Sequence, residues 1–430
     1  MKNKFVTSTL ILVVGGLITK ILAMLIRIIM TRMVGTEGIG LYMLVNPTFL
    51  LFIAIAVLGM PTAISKLVAE NKRNNRNVIS SAVQMTLLIN IIMMFVILFS
   101  ARFISNNLLQ EPRVYYSIIM MAFVLPFISI TSILRGYFFG KQKMLPHVVS
   151  NIIEDIVRLI AVIIFVPIFL TKGLEFAVAF LIGTCIIGEI ASTLVLVLFL
   201  PKKFKLKKED IKADTNNMKG IMNISIPATG SRLIGSIGLF FEPIIITFIL
   251  LKIGYDNNFI ITEYGILNGY VMPLILLPSF FTGAISQALL PVVSSGYSRG
   301  NINYSKKKIK QAIIFSLLIG IPATLIFVFI PQIPLNFIYN TNEGINYIRV
   351  LAPICLLYYI QVPLTSTLQA INKAKTAMKG TLVGIILKTI VLIIASFSRI
   401  GLWGLVIANS INITYVTIHH LLVVRKELKD

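Results

Sequence analysis

Nine charged residues lie inside long apolar stretches of this chain: Lys20, Arg27, Arg158, Arg232 and Lys388, with Glu154, Asp155, Glu189 and Glu242. A charge in hydrocarbon is costly, so each marks a polar pathway or an ion pair. Gly16, Lys20, Ala23 and Arg27 follow a 4-3-4 spacing, which puts two cations and two small residues on one helix face. Such a face attracts anionic head groups. Arg grips phosphate through paired, charge-assisted hydrogen bonds, and Lys acts as a point charge. The competing reading is that the long stems snorkel to the membrane interface. Lys20 sits near the middle of its apolar stretch, where snorkelling is hardest. Arg27 is nearer the end and reaches the interface more easily.

Other polar residues fall in matching places. Arg232 lies among Pro227, Gly230, Gly235, Gly238 and Pro243, a composition that predicts a kinked helix with Arg232 as a further cavity cation. Asn46 beside Pro47, and Asn268 ahead of Pro273, are read as cavity-wall amides, with packing around a proline kink as the alternative. Glu154 and Arg158 are spaced i,i+4, and Asp155 stands three before Arg158, which permits an ion pair on one helix face. Two roles stay open for Glu154, Asp155, Arg158 and Glu242: structural ion pairs, or proton or cation coupling through a buried carboxylate. Glu189 and Lys388 are read as helix–helix contacts.

The elements that carry these residues follow from the apolar pattern. The chain has 430 residues and is 57% hydrophobic. Crossing the hydrocarbon core takes about 20 apolar residues, and in lipid the backbone must satisfy its own hydrogen bonds. Continuous rather than alternating apolar runs predict helices and argue against a barrel. Twelve spans are predicted at 7–31, 39–65, 78–100, 115–139, 147–170, 176–200, 221–251, 264–293, 310–331, 346–370, 377–397 and 401–424. The seventh and eighth are long enough to tilt or break. The first is read as a retained span, too long for a signal-peptide core. Cys185 and Cys355 both fall within spans, which predicts neither a disulfide nor a metal site.

A net charge of +23 suggests nucleic acid only until the charges are sorted. Of the 39 basic residues, 27 fall in the two termini and the even-numbered gaps, Arg135, Lys141 and Lys143 among them, and 7 in the opposite gaps. This alternation orients the chain with both termini in the cytoplasm, and the excess reads as topology and attraction to anionic lipid. The run KKFKLKK at 202–208 is then a linker between spans, not a nucleic-acid patch. It divides the chain into an N-terminal lobe (1–205), a basic linker (206–220) and a C-terminal lobe (221–430). TEGIG at 36–40 pairs with TEYGI at 262–266, PTAIS at 61–65 with TGAIS at 282–286, and LRGYFFGKQKM at 134–144 with LQAINKAKTAM at 368–378. The expected fold is an all-α polytopic membrane protein of about twelve transmembrane helices, in two pseudo-symmetric six-helix lobes around a central cavity. No Walker loop, HExxH, CxxC or Asp-x-Asp motif is present, so the chain reads as a carrier with no catalytic residues, metal or cofactor.

Certain segments carry a resemblance. GGLITKILAMLIRIIMTRMVGTEGIGLYMLVNPTFLL at 15–51, GMPTAISKLVAE at 59–70 and LRGYFFGKQKMLPHVVSNIIEDIVRLI at 134–160 resemble the stage V sporulation protein B family. That family sits in a superfamily with polysaccharide flippases, lipid II flippases and multidrug extrusion carriers. The resemblance implies a flippase in the cytoplasmic membrane of a spore-forming bacterium. It would move a lipid-linked oligosaccharide or peptidoglycan precursor by alternating access, with proteins of envelope synthesis as partners. Thr19-Lys20 matches the basic residue that follows Ser or Thr on the first helix of such flippases, and Arg27 suits the sporulation branch. Lipid II flippases tend to carry further arginines on helices two and eight, where 39–65 and 264–293 have none, and many relatives have two more C-terminal helices. Both departures point away from lipid II as the specific cargo. The alternative function is a proton- or sodium-coupled exporter of small cations, motivated by Glu154, Asp155 and Glu242. A membrane scaffold or an enzyme of envelope synthesis is a third class.

Overall fold

The computed structural model describes residues 2–70, 74–201 and 215–428. Lys72, Arg73, the 202–208 run, most of the 206–220 linker and Lys429 lie outside the described residues. Among the described residues every regular element is helical. The chain packs as two compact units, Met1–Pro243 and Ile244–Asp430.

The first unit holds α1 (Lys2–Val57), α2 (Met60–Glu70), α3 (Asn75–Phe103), α4 (Tyr115–Gly140), α5 (Met144–Leu170) and α6 (Leu174–Leu198). Helix α7 (Thr215–Lys252) runs across the boundary. The second unit continues with α8 (Asn257–Gly265), a π-turn (Ile266–Val271), α9 (Met272–Ile275) and α10 (Ser279–Ser298). It ends with α11 (Ile302–Phe329), the short α12 (Gln332–Tyr339), α13 (Ile345–Ala370), α14 (Ala374–Phe397) and α15 (Trp403–Glu427). Among the described residues, 9 helices are long and apolar enough to span a membrane, or 10 with the bent pair α8–α9 and α10. Val14–Glu70 is one of these and carries a turn at Gly35, and α5 is 27 residues long with three charges inside it; the expected number was about twelve.

The two units repeat one packing scheme. In the first, α4 packs against α2, α3 and α6, and α5 against α6. In the second, α13 packs against α10, α11 and α15, and α14 against α15. Glu37 of TEGIG accepts from Arg113 Nη1 at 2.5 Å at the head of α4. Glu263 of TEYGI accepts from Tyr347 Oη at 2.5 Å at the head of α13. The second and eighth spans are both broken ahead of their AIS segments. One break is at Leu58–Gly59, where both residues have positive φ. The other falls between α9 and α10, which meet at a 51° bend. Each break strands a carbonyl that lipid cannot satisfy. In the first unit Asn90 Nδ2 donates to Ala56 O at 3.4 Å; in the second the Tyr359 hydroxyl donates to Ile275 O.

Gly35 makes the first turn. Its φ of 69° and ψ of −173° lie in a region that glycine alone occupies readily. The turn brings Arg27 and Met43 side by side, with Nη2 3.7 Å from Sδ. A Cβ at Gly35 would meet nothing within 4 Å, so a side chain there costs backbone strain and no clash. Gly35→Ala is expected to destabilise the protein by about 1–3 kcal/mol, read as a lower unfolding temperature in detergent. Gly16→Ala, also free of contacts within 4 Å but helical, should not lower it.

Candidate functional site

Helix α1 presents two different faces. One packs: Ile26 and Met30 are buried, and a Cβ on Gly15 would strike Val148 of α5. The face bearing Gly16, Lys20, Ala23 and Arg27 stays open. Gly16 has nothing within 4 Å, Lys20 and Ala23 are exposed, and Arg27 is half-buried against Met43. Hydroxyls along this helix turn inward on their own backbone, Thr19 to Gly16 O at 3.1 Å and Thr31 to Arg27 O at 2.7 Å. The charged groups are thus the polar groups this face offers outward.

Helix α7 repeats the pattern. Arg232 is exposed, and Gly230 and Gly235 have nothing within 4 Å. Glu242, next to the last residue of the first unit, is buried. The N-terminal half of α7 closes on the α1–α2 break, where a Cβ on Gly59 would lie 2.9 Å from Ser225 O. Asn46 is half-buried beside Pro47. Asn268 lies in the π-turn, a geometry that recurs at functional sites, and its amide nitrogen is buried with no hydrogen-bond partner among the described residues.

The charges of α5 are arranged differently from the anticipated i,i+4 pair. Glu154 accepts from Arg135 Nη2 of α4, not from Arg158. The same Nη2 donates to Ser192 Oγ of α6 at 3.0 Å and lies 3.8 Å from Glu189 Oε2. Arg158 donates to Thr184 of α6 at 3.4 Å. Arg135, counted in sequence with the basic residues of the gap after the fourth span although it falls within 115–139, is inside α4 and at the centre of a network joining α4, α5 and α6. Glu189, a solitary charge in sequence, is 5% exposed and belongs to that network. Ser192 and Thr193, three and four residues past Glu189, were the available signal: polar groups one turn beyond a buried acid mark a helix face that meets polar partners. Thr193 Oγ1 lies 2.7 Å from Thr131 Oγ1 of α4.

Long apolar helices in two units that repeat one packing scheme define a multi-pass membrane protein of the transporter type. The chain belongs to the polysaccharide biosynthesis protein family, whose model matches residues 5–297. The MatE model matches residues 264–394. The chain is 36% identical to stage V sporulation protein B of Bacillus subtilis (strain 168), over 99% of this chain and 85% of that one. It is 26% identical to lipid II flippase MurJ of the same organism, over 91% of this chain and 77% of the relative. Among solved structures, an inward-facing multidrug resistance MATE family transporter shares the fold, with a TM-score of 0.74, 16% identity and coverage of 95% and 94%.

The network yields a prediction. Arg135→Met leaves Glu154 and Glu189 in the bundle without their guanidinium. It should destabilise the protein by on the order of 3 kcal/mol. Arg135→Met/Glu154→Met should lose less than Arg135→Met alone, because one stranded charge goes with its partner. A double-mutant cycle on thermal unfolding in detergent measures the coupling.

Proposed function

We propose that this protein is a flippase that moves a lipid-linked oligosaccharide or peptidoglycan precursor across the cytoplasmic membrane of a bacterium by alternating access, in cell-wall or spore-cortex synthesis. The observation that carries the reading is the open face of α1, where Lys20 and Arg27 line up with Gly16 and Ala23. A diphosphate-linked head group needs accessible cations, and Lys20 is exposed. The small residues leave room for the sugar. In this reading Arg232 and Asn46 are further head-group contacts of the first unit, and in the second unit the buried amide of Asn268 is a donor for a sugar hydroxyl or phosphate oxygen. The lipid tail stays in the bilayer. Both termini face the cytoplasm, supported by the alternation of basic residues between gaps.

Of the three acids that motivate a small-cation exporter, Glu154 is held by Arg135, with Glu189 beside it, which supports a structural role for Glu154 in tying α4 to α5. Relatives named for sporulation and for lipid II add support for a lipid-linked saccharide over a small cation.

The test is reconstitution into liposomes with a fluorescent undecaprenyl-pyrophosphate saccharide, scoring leaflet exchange. Wild type is expected to exchange the lipid, and Lys20→Ala/Arg27→Ala to lose at least 90% of the rate (on the order of tenfold, about 1.4 kcal/mol) while keeping its unfolding temperature. Unchanged exchange in the double variant would overturn the cationic path. Absence of exchange by folded wild type, with export of a small cation, would overturn the flippase reading.

A further inference from the structure

At the end of the second unit that carries the Lys306–Lys310 run, α11, α13 and α15 enclose a groove of about 610 Å³. That volume lies in the range of roughly 300–1,000 Å³ typical of small-ligand sites. Its floor and walls are aliphatic, including Ile309, Ile313, Leu364 and Leu421. Three cations stand in its lining, Lys306 and Lys310 on α11 and Arg425 on α15. Among the described residues that line it there is no carboxylate. The nearest acid in sequence, Glu427, is taken by Lys373 of the α13–α14 turn at 2.9 Å.

The spacing explains the shape. Lys306, Ile309, Lys310 and Ile313 recur at 3-1-3, one face of α11, and Leu421 and Arg425 are one turn apart on α15. Each helix therefore offers an aliphatic patch toward the bilayer interior and a cation toward the interface. A groove built this way fits one chemistry: an apolar chain below and a phosphate above. Basic pockets between transmembrane helices select anionic lipid head groups by that charge complementarity. A zwitterionic lipid would bring its own cation against three others.

We propose that this groove binds an anionic phospholipid, one acyl chain against Ile309, Ile313, Leu364 and Leu421, and the phosphate held by Lys306, Lys310 and Arg425. Arg425 supplies paired hydrogen bonds, and the two lysines supply point charges. The site is separate from the face of α1, and occupancy would clamp α11 to α15 across α13. It stands whether or not the flippase reading does.

Native mass spectrometry of the delipidated full chain tests it, using phosphatidylglycerol and phosphatidylcholine of matched acyl chains. Wild type should retain phosphatidylglycerol roughly tenfold or more in preference. Lys306→Gln/Lys310→Gln/Arg425→Gln should erase the preference, and Lys307→Gln/Lys375→Gln/Lys379→Gln, an equal loss of charge elsewhere, should keep it. Ile313→Trp, which fills the groove and leaves its cations, should weaken phosphatidylglycerol binding. In wild type, a photoreactive acyl chain on phosphatidylglycerol should cross-link to residues 309–314 and 421–428, which reads the site even where a variant fails to fold. Equal retention of the two lipids, equal loss in the control triple variant, or cross-links confined to other helices would overturn the proposal. So would displacement of phosphatidylglycerol by equimolar undecaprenyl phosphate, which would make the groove a seat for the cargo tail.

Discussion

The hydrocarbon core of a bilayer supplies no hydrogen bonds, and the rest of this structure follows from that. Backbone groups pair within helices. Where a helix is broken, another helix must reach over and satisfy the exposed carbonyl. Asn90 does so for Ala56 and Tyr359 for Ile275. Hydroxyls fold back on their own helix, as Thr229 does on Ser225 O at 2.7 Å and Thr417 on Ile413 O at 2.7 Å. Charges obey the same rule. Arg135, Glu154 and Glu189 are brought together from three helices because none is tolerable alone.

Against that background the open face of α1 stands out. Thr19 and Thr31 are satisfied internally, yet Lys20 is exposed and Arg27 has a thioether for a neighbour. These two cations lie on a face flanked by small residues. The repeat extends the argument, since Arg232 occupies the first helix of the second set of spans, also beside glycines with empty surroundings. The breaks in the second and eighth spans sit at corresponding points of the two repeats. One carries the turn against which α7 closes, and the other follows the π-turn that holds Asn268.

Much of this was legible in the sequence because the bilayer makes apolar length a strong signal. The span ends expected at 100, 139, 170 and 251 fall within a few residues of the helix ends at Phe103, Gly140, Leu170 and Lys252. The matched TEGIG and TEYGI segments turned out to place acids at the same point of each unit, Glu37 on Arg113 and Glu263 on Tyr347. Partner choice was not legible. Glu154 has Arg158 one turn away in sequence, but its carboxylate goes to Arg135, 19 residues earlier. Which of two cations an acid meets depends on how α4 and α5 cross, and spacing along one helix carries nothing about that. The break ahead of α10 falls in the eighth span, which was long enough to break, but its place and angle were not legible, and the short α12 was not anticipated: Pro278 and Pro331 mark where a helix bends or starts, but not how far it turns.

The central claim is that the face of α1 bearing Lys20 and Arg27 borders water and the travelling head group, not lipid. The most direct measurement is the reactivity of Ala23→Cys, in a background with Cys185 and Cys355 replaced by Ala, toward a membrane-impermeant maleimide in proteoliposomes. The account predicts modification from the aqueous phase, slowed by undecaprenyl-pyrophosphate saccharide. Modification by a lipid-soluble maleimide alone, indifferent to the saccharide, would place that face against acyl chains and contradict it.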